Sequence, residues 1–562
     1  MNNYNVKAAF IKFFILLLFI SPLIYYFALQ KVYGLELLDL SIEKHFNSIY
    51  YALQKKTEPS FTLLVYIALL TPLAGFIPRL GVKGEYGSAA FADNSLIKKM
   101  GLFSKTGLVL GKVGRKEIRY EDSLSTLVLA PPGTGKTTSI SITNLLTVAY
   151  SFFVLDVKKE LFDITSRVRK NKFNSKIYKY NPGEKGTLKF NPFCKSVIGN
   201  IFHEDGSLNE QKWNYIEQTV EEIAYLIYPE KNNFEYWVEE GRNLFILIAL
   251  WIFFTKGYTS IPEIRSFAME DFETLYPEYE YEEGIDPLIY FINIEILKNE
   301  NDIDEIKEIP ARIKEEAIAV KKKADKEYSG VYSSFKSPLN IFGNSIIAEN
   351  FSTNEFNIED FRKEISTVYI SINEKDLKRL AACNRVFIEY NLRKLASIMP
   401  EKNDIMTVNL LDEFPRFGRM EYMLELPSIG RGYKIISMLI AQDYAQIKKV
   451  YTPEDLSIIE STTAYKVIFP QTNEETANRY AELIGDFTVE RASESKSLDA
   501  KGSRSINKQL LGQKLISKQD LLSQDPNTIY ILRINYYKNP IKAKPYIYFK
   551  DRKLSKEVEN AN

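Results

Sequence analysis

One short segment limits the fold more than any other. An apolar, strand-like run, Leu124 to Leu129, leads directly into Ala130-Pro-Pro-Gly-Thr-Gly-Lys-Thr-Thr138. Strand, tight loop and helix in that order is the setting a phosphate-binding loop requires, so an α/β fold is expected around it. Gly133 and Gly135 permit backbone angles and a close approach that a Cβ would block. The amides of Gly133, Thr134, Gly135, Lys136, Thr137 and Thr138 can then converge on phosphate oxygens, aided by the N-terminus of the following helix. Lys136 supplies a point charge for the β- and γ-phosphates of ATP, and the Thr137 hydroxyl a ligand for Mg²⁺. Ala130 stands where the pattern usually begins with glycine; it is small and lies at the strand end. The alternative is a chance Gly/Pro loop, and the flanking strand and helix argue against it.

A partner for this loop lies far downstream. Thr407 to Glu413 (TVNLLDE) is an apolar strand ending in two carboxylates, a Walker B arrangement. Asp412 is placed to complete the Mg²⁺ shell and Glu413 to polarise the attacking water. Ile435 to Ala441 reads as another buried parallel strand. Gln442 sits at its C-terminal end, where ligands of doubly wound sheets collect, and could sense the γ-phosphate or position water. Arg431, in the turn Gly430-Arg-Gly432, could reach a neighbouring subunit's nucleotide as an arginine finger. Arg416 and Arg419 compete for that role, and an ordinary surface arginine is the plain reading. The expected catalytic set is therefore Lys136, Asp412, Glu413, Arg431 and Gln442.

Composition removes other chemistries. The 562 residues hold two cysteines, Cys194 and Cys383, and two histidines, His45 and His203. A disulfide framework, a multi-Cys zinc module and a clustered-His metal site are excluded. Lys plus Arg (73) nearly cancels Asp plus Glu (72), so the chain is no polycation built to coat nucleic acid.

The neutral average hides two apolar runs. Phe13 to Leu29 carries no charge, and with Ala8 to Lys12 it reaches about 22 residues, enough to span a bilayer. Phe61 to Ile77 is uncharged as well. The expected anchor has spans at about 8–29 and 61–78 with a short outer loop, 30–60. Basic residues lie before the first run (Lys7, Lys12) and after the second (Arg79, Lys83, Lys98, Lys99), which places both termini in the cytoplasm. Pro22 and Pro72 predict kinks. A cleaved signal peptide is the alternative for the first run, and no small-residue cleavage site follows it.

Between Lys136 and Asp412 lie 275 residues, more than the strands of a phosphate-loop core consume. From about Gly206 to Tyr328 the apolar spacing is helical. Glu270 to Glu308 contains fourteen acids against Lys298 and Lys307, a solvated face or a docking surface for a basic partner. Ser493 to Asn507 reads as a flexible polar loop. Thr528 to Ile534 and Lys542 to Phe549 read as a hairpin, followed by a charged tail. The lysines and tyrosines interleaved there fit edge-strand protection better than DNA contact.

Taken together, these residues resemble the type IV coupling proteins, the TraG-like ATPases of conjugation and type IV secretion, over nearly the whole chain. Leu411-Asp-Glu-Phe-Pro-Arg416-Phe-Gly418 is similar to the family's extended Walker B. Gln442 with Gln446 matches its third motif, and Asn191-Pro-Phe193 an Asn-Pro signature. Glu85-Tyr-Gly87-Ser-Ala-Ala resembles the segment after the anchor. Val154-Leu-Asp156-Val-Lys158-Lys-Glu160 resembles an Asp-x-Lys-Gly-Glu motif, with Lys159 where glycine is usual.

The resemblance implies a RecA-like motor domain with an inserted all-α domain, a homohexameric ring and a multi-pass anchor in the inner (plasma) membrane. It places the anchor at 1–80, the two parts of the nucleotide-binding domain at 81–200 and 346–562, and the insertion at 201–345. ATP and Mg²⁺ are the implied cofactors. The implied partners are a relaxase–DNA complex or secreted proteins, single- or double-stranded DNA, and inner-membrane channel components. An FtsK-like double-stranded DNA translocase would also carry anchor and motor, but its usual four spans, long linker and winged helix are not evident. A catalytically silent membrane receptor is the non-enzymatic alternative.

Overall fold

The phosphate loop leaves the middle of a nine-stranded sheet. Its strands are β1 (Thr126–Leu129), β2 (Ser151–Leu155), β3 (Lys176–Tyr180), β4 (Ser366–Ile370), β5 (Thr407–Leu411), β6 (Ile435–Ala441), β7 (Tyr465–Ile468), β8 (Ile529–Arg533) and β9 (Ile541–Ala543). They are ordered β9-β8-β7-β1-β6-β5-β2-β4-β3. From β7 to β3 every pairing is parallel, while β8 and β9 complete the sheet antiparallel. The computed structural model describes residues 13–35, 40–76, 85–229, 235–301, 309–323, 325–496 and 504–561.

Parallel strands are covered on both faces, which is why these segments read as unbroken apolar runs. Leu127 and Leu129 of β1, with Phe153 and Leu155 of β2, join one core; Val128, Phe152 and Val154 join the other. The C-terminal ends of the parallel strands share one edge. That edge collects the loops after β1, β2, β5 and β6.

Helices fill the chain between β3 and β4. The main ones are Glu210–Ile227, Tyr236–Lys256, Pro287–Asn301, Ala311–Lys321 and Asp325–Leu339. From Leu244 to Phe254 the helix Tyr236–Lys256 is apolar on all sides and buried, the pattern of a core helix. At Gly241 a Cβ would stand 2.9 Å from the Phe335 amide, so glycine is what lets this helix meet Asp325–Leu339. The helical core runs on without a break into one face of the sheet. Asn191 ties the two parts together: its buried amide donates to the carbonyls of Thr259 (2.9 Å) and Ser352 (3.1 Å). The acidic stretch falls partly on residues 302–308, outside the described residues. Where described, Glu282 pairs with Lys321 and Glu295 with Lys298.

Two readings of the C-terminal third need correction. Within Ser493–Asn507, the residues expected as loop extend two long strands, Asp486–Lys496 and Arg504–Lys514, which pair as a ribbon; residues 497–503 lie outside the described residues. A strand with polar residues on both sides shows no alternation to read. The charged tail is a helix, Arg552–Ala561. Leu554 is buried and Val558 and Ala561 pack against the same core, at helical spacing in a run otherwise of Lys and Glu.

Two compact units emerge from the packing. One comprises residues 88–487 and 513–562, and the other residues 1–87 and 488–512. In the second, Phe13–Tyr33 is the one helix among the described residues long and apolar enough by itself to cross a membrane without being buried in the protein. Pro59–Leu70 is a shorter apolar helix that continues as a 3₁₀ turn, Thr71–Phe76. The two prolines explain the irregularities: a π-helical turn, Leu16–Ile20, precedes Pro22, and the 3₁₀ turn contains Pro72. The loop between these helices contains a third, Ile42–Leu53. Ala28, Leu29, Ala52, Phe61 and Val65 form their common core.

Candidate nucleotide site

The loop after β1 turns through two left-handed residues, Gly133 (φ +77°) and Gly135 (φ +82°). Thr134 Oγ1 donates to the Pro131 carbonyl at 2.7 Å and Thr138 Oγ1 to the Gly135 carbonyl at 3.0 Å, which tightens the turn. The helix beyond opens with a π-helical turn, Thr137–Ser141, and continues as Ile142–Thr147. Its amino end faces the loop after β5, because β1 and β5 flank β6 in the sheet.

Four of the predicted residues meet there. Lys136 Nζ lies 3.1 Å from Glu413 Oε1, and both side chains are buried. Thr137 Oγ1 donates to Asp412 Oδ2 at 3.2 Å, leaving Asp412 Oδ1 buried without a partner among the described residues. Burial pushes the Asp412 carboxyl up to about 6; Glu413 adds to this and Lys136 opposes it. Burial acts on Glu413 in the same sense but is outweighed by Lys136 and Arg416, which hold its carboxyl below the usual range. Glu413 also occupies the left-handed region, φ +56°. For a non-glycine residue that costs on the order of 1–2 kcal/mol.

Asp156, at the end of β2, lines the same cleft with Lys158 and Glu160. Its carboxylate accepts the amides of Leu161 (3.2 Å) and Phe162 (2.9 Å), so it caps the helix Glu160–Phe173 across the Lys159 turn. Burial pushes its carboxyl up to about 6 as well, with Asp412 contributing. The orphaned Asp412 oxygen, the neighbouring hydroxyl and two buried carboxyls form a donor set that fits a hard divalent cation. The left-handed glycine loop fits a phosphate chain.

The remaining predicted residues lie elsewhere. Gln442, at the end of β6, shares the sheet edge; its backbone N–H donates to Gln446 Oε1 at 2.8 Å. Arg431 occupies the 3₁₀ turn Gly430–Tyr433, before the other end of β6. Seven residues of strand separate the two, roughly 20 Å. Arg431 is exposed and has no ion-pair or hydrogen-bond partner among the described residues. Its competitors are engaged: Arg416 pairs with Glu413 and Glu374, and Arg419 with Glu421 and Asp455. Sequence reasoning placed Arg416 among the fingers and missed its hold on Glu413; their spacing of three residues is the only signal.

Comparison with known proteins assigns the chain. The profile of the family described as Type IV secretory system Conjugative DNA transfer matches residues 90–562. The chain belongs to this family. It is 23% identical over 511 residues to protein VirD4 of Rhizobium radiobacter, covering 89% of this chain and 69% of VirD4. It is 24% identical over 443 residues to the conjugal transfer protein TraG of Escherichia coli, covering 72% of this chain and 65% of TraG. The chain thus spans about two thirds of the length of these relatives. Among solved structures, the bacterial conjugative coupling protein TrwB, crystallised with sulphate, aligns at a TM-score of 0.57 and 15% identity, over 83% of this chain and 96% of that one. TrwB has also been solved with ADP and Mg²⁺ (TM-score 0.55). The TrwB likeness establishes the α/β fold with its mixed central sheet.

Proposed function

We propose that this family member is a membrane-anchored ATPase that couples ATP hydrolysis to recruiting a relaxase–DNA complex, protein substrates or both, and moving them into a type IV secretion channel. One observation carries the reading. Lys136 with Glu413, and Thr137 with Asp412, meet across some 275 residues of chain at the edge where sheet ligands collect. The nucleotide-bound structures of the similarly folded TrwB support it.

The geometry gives each residue a task. Lys136 is held by Glu413. Phosphates entering the amide cradle of residues 133–138 compete for Lys136, and its departure frees Glu413 Oε1, while Arg416 keeps the other oxygen, to accept a proton from the attacking water. Thr137 and Asp412 would hold Mg²⁺, which when bound offsets the charge of the β- and γ-phosphates. Gln442 reports the γ-phosphate from the end of β6. Arg431, at the opposite end of β6 from its own loop, serves the site of the next subunit in a homohexamer.

The two apolar helices form a two-span, multi-pass anchor in the inner membrane, with both termini and the bulk of the chain cytoplasmic. The region 201–345 is the inserted all-α domain and docks cargo, between the two parts of the motor at 81–200 and 346–562.

Hydrolysis by the full-length chain in detergent, with and without DNA, tests this. Glu413→Gln should lower the rate by about 10²–10⁴-fold, the range spanned by loss of a general base, while nucleotide binding persists. Lys136→Ala should weaken binding as well. Hydrolysis and transfer left intact in both variants would refute the ATPase reading, and a wild-type chain that binds ATP without hydrolysing it would be a receptor.

A further inference from the structure

The helix Ile42–Leu53, between the two apolar helices, divides into three arcs at 100° per residue. His45, Ser48, Ile49 and Ala52 form the first and face the hairpin. Tyr25 Oη lies 3.1 Å from His45 Nδ1 and 2.6 Å from Ser48 Oγ, and Ala52 is buried with Phe61, Ala28 and Leu29. Ile42, Phe46, Tyr50 and Leu53 form the second, within about 80° of arc. They are 77%, 71%, 56% and 44% exposed. Glu43, Lys44, Asn47 and Tyr51 form the third, exposed and polar apart from the Tyr51 ring.

We propose that Ile42–Leu53 lies flat in the membrane interface on the outer side, with its apolar arc in the lipid. This rests on the two-span reading above. Three observations select lipid as the occupant. Short connectors, residues 34–41 and 54–58, tether the helix to Tyr33 and Pro59, the ends of the apolar helices. The Tyr25 contacts, together with Tyr66 Oη donating to the Leu53 carbonyl at 3.2 Å, hold it against them, so its depth is set by theirs. The apolar arc adjoins the packed arc, and the polar arc lies beyond it, as in a helix lying flat beside the spans with water on its far side. Tyr33, Tyr50, Tyr51 and Tyr66 are the amphipathic rings found at that depth, and Lys44, Lys55 and Lys56 can meet headgroup phosphates. The helix would fix the depth of the hairpin in the bilayer.

Spin labels on single cysteines in the full-length chain, reconstituted in vesicles of phosphatidylethanolamine and phosphatidylglycerol, test this. Both native cysteines are buried. Labels at Phe46 and Leu53 should collide with oxygen and be shielded from a water-soluble nickel chelate, and labels at Glu43 and Asn47 should show the reverse. A label at Leu69, exposed on the second apolar helix, should sit in lipid. If all four loop labels meet the chelate while Leu69 stays in lipid, the inference fails and the spans stand. If Leu69 also meets the chelate, the two-span reading fails and takes the inference with it. Phe46 and Leu53 shielded from both reagents would mean that protein covers the arc, which also overturns it.

Discussion

Lys159 sits in the left-handed region, φ +62°, where β2 turns into the helix Glu160–Phe173. The resembling motif has glycine at this position, and the backbone supplies the reason: a Cβ there costs on the order of 1 kcal/mol. Two contacts hold the strained turn. Lys159 Nζ lies 2.5 Å from Glu184 Oε1, a partly exposed pair worth about 0–1 kcal/mol. Asp156 ties the Leu161 and Phe162 amides from below. Lys159→Gly should therefore leave stability within about 1 kcal/mol, since relief of strain offsets the lost pair and the freer unfolded chain. Lys159→Val, β-branched and unpaired, should lower it by about 1–2 kcal/mol. Melting of the two variants side by side is the check, and a glycine variant less stable than the valine would refute the strain. The sequence displays the departure at residue 159 but not its cost, because nothing in residue spacing encodes the sign of φ.

The last helix, Arg552–Ala561, buttresses the phosphate-loop helix from outside. Lys172, on Glu160–Phe173, bonds the Leu146 carbonyl of the phosphate-loop helix at 2.8 Å and Glu557 at 2.7 Å. Thr143 Oγ1 donates to the Tyr546 carbonyl at 2.7 Å, and the Tyr546 hydroxyl reaches Asp551 at 2.9 Å. Leu554 is the one residue of Arg552–Ala561 that is fully buried. Leu554→Ala should cost about 2–3 kcal/mol, whereas Glu557→Ala, losing a partly exposed pair, should cost less than about 1 kcal/mol. Hydrogen exchange should then quicken first in Arg552–Ala561 and Glu160–Phe173, ahead of the sheet; unchanged protection in Leu554→Ala would mean that the helix bears no load. Elements such as this one decide what a sequence reveals. β1, β5 and β6 were legible because burial on both faces demands unbroken apolar runs. The ribbon Asp486–Lys496 with Arg504–Lys514 was not, since its pairing satisfies the backbone without an apolar face.

At the scale of the molecule, the site is only half legible. Lys136 and Asp412 are each readable as motifs, but their meeting depends on a sheet order that puts β6 between β1 and β5. Arg431 is readable only as a candidate, and its position before β6, about 20 Å from the ligand edge, removes it from its own phosphate loop. If it acts at all, it acts on another subunit. That separates two kinds of defect: Lys136→Ala spoils the site it belongs to, while Arg431→Ala spoils the neighbour's. In the proposed homohexamer, a ring mixed from the two variants would contain interfaces in which an intact Lys136 faces an intact Arg431. Random assembly of equal amounts makes about a quarter of the interfaces of that kind, since heterologous ring contacts pair each subunit with its successor independently. Two variants inactive alone should therefore regain about a quarter of wild-type hydrolysis per subunit on mixing, provided each interface works independently. Fluorescence transfer between differently labelled subunits verifies that the rings are mixed. Mixed rings with no recovered activity would exclude Arg431 as the residue acting in trans.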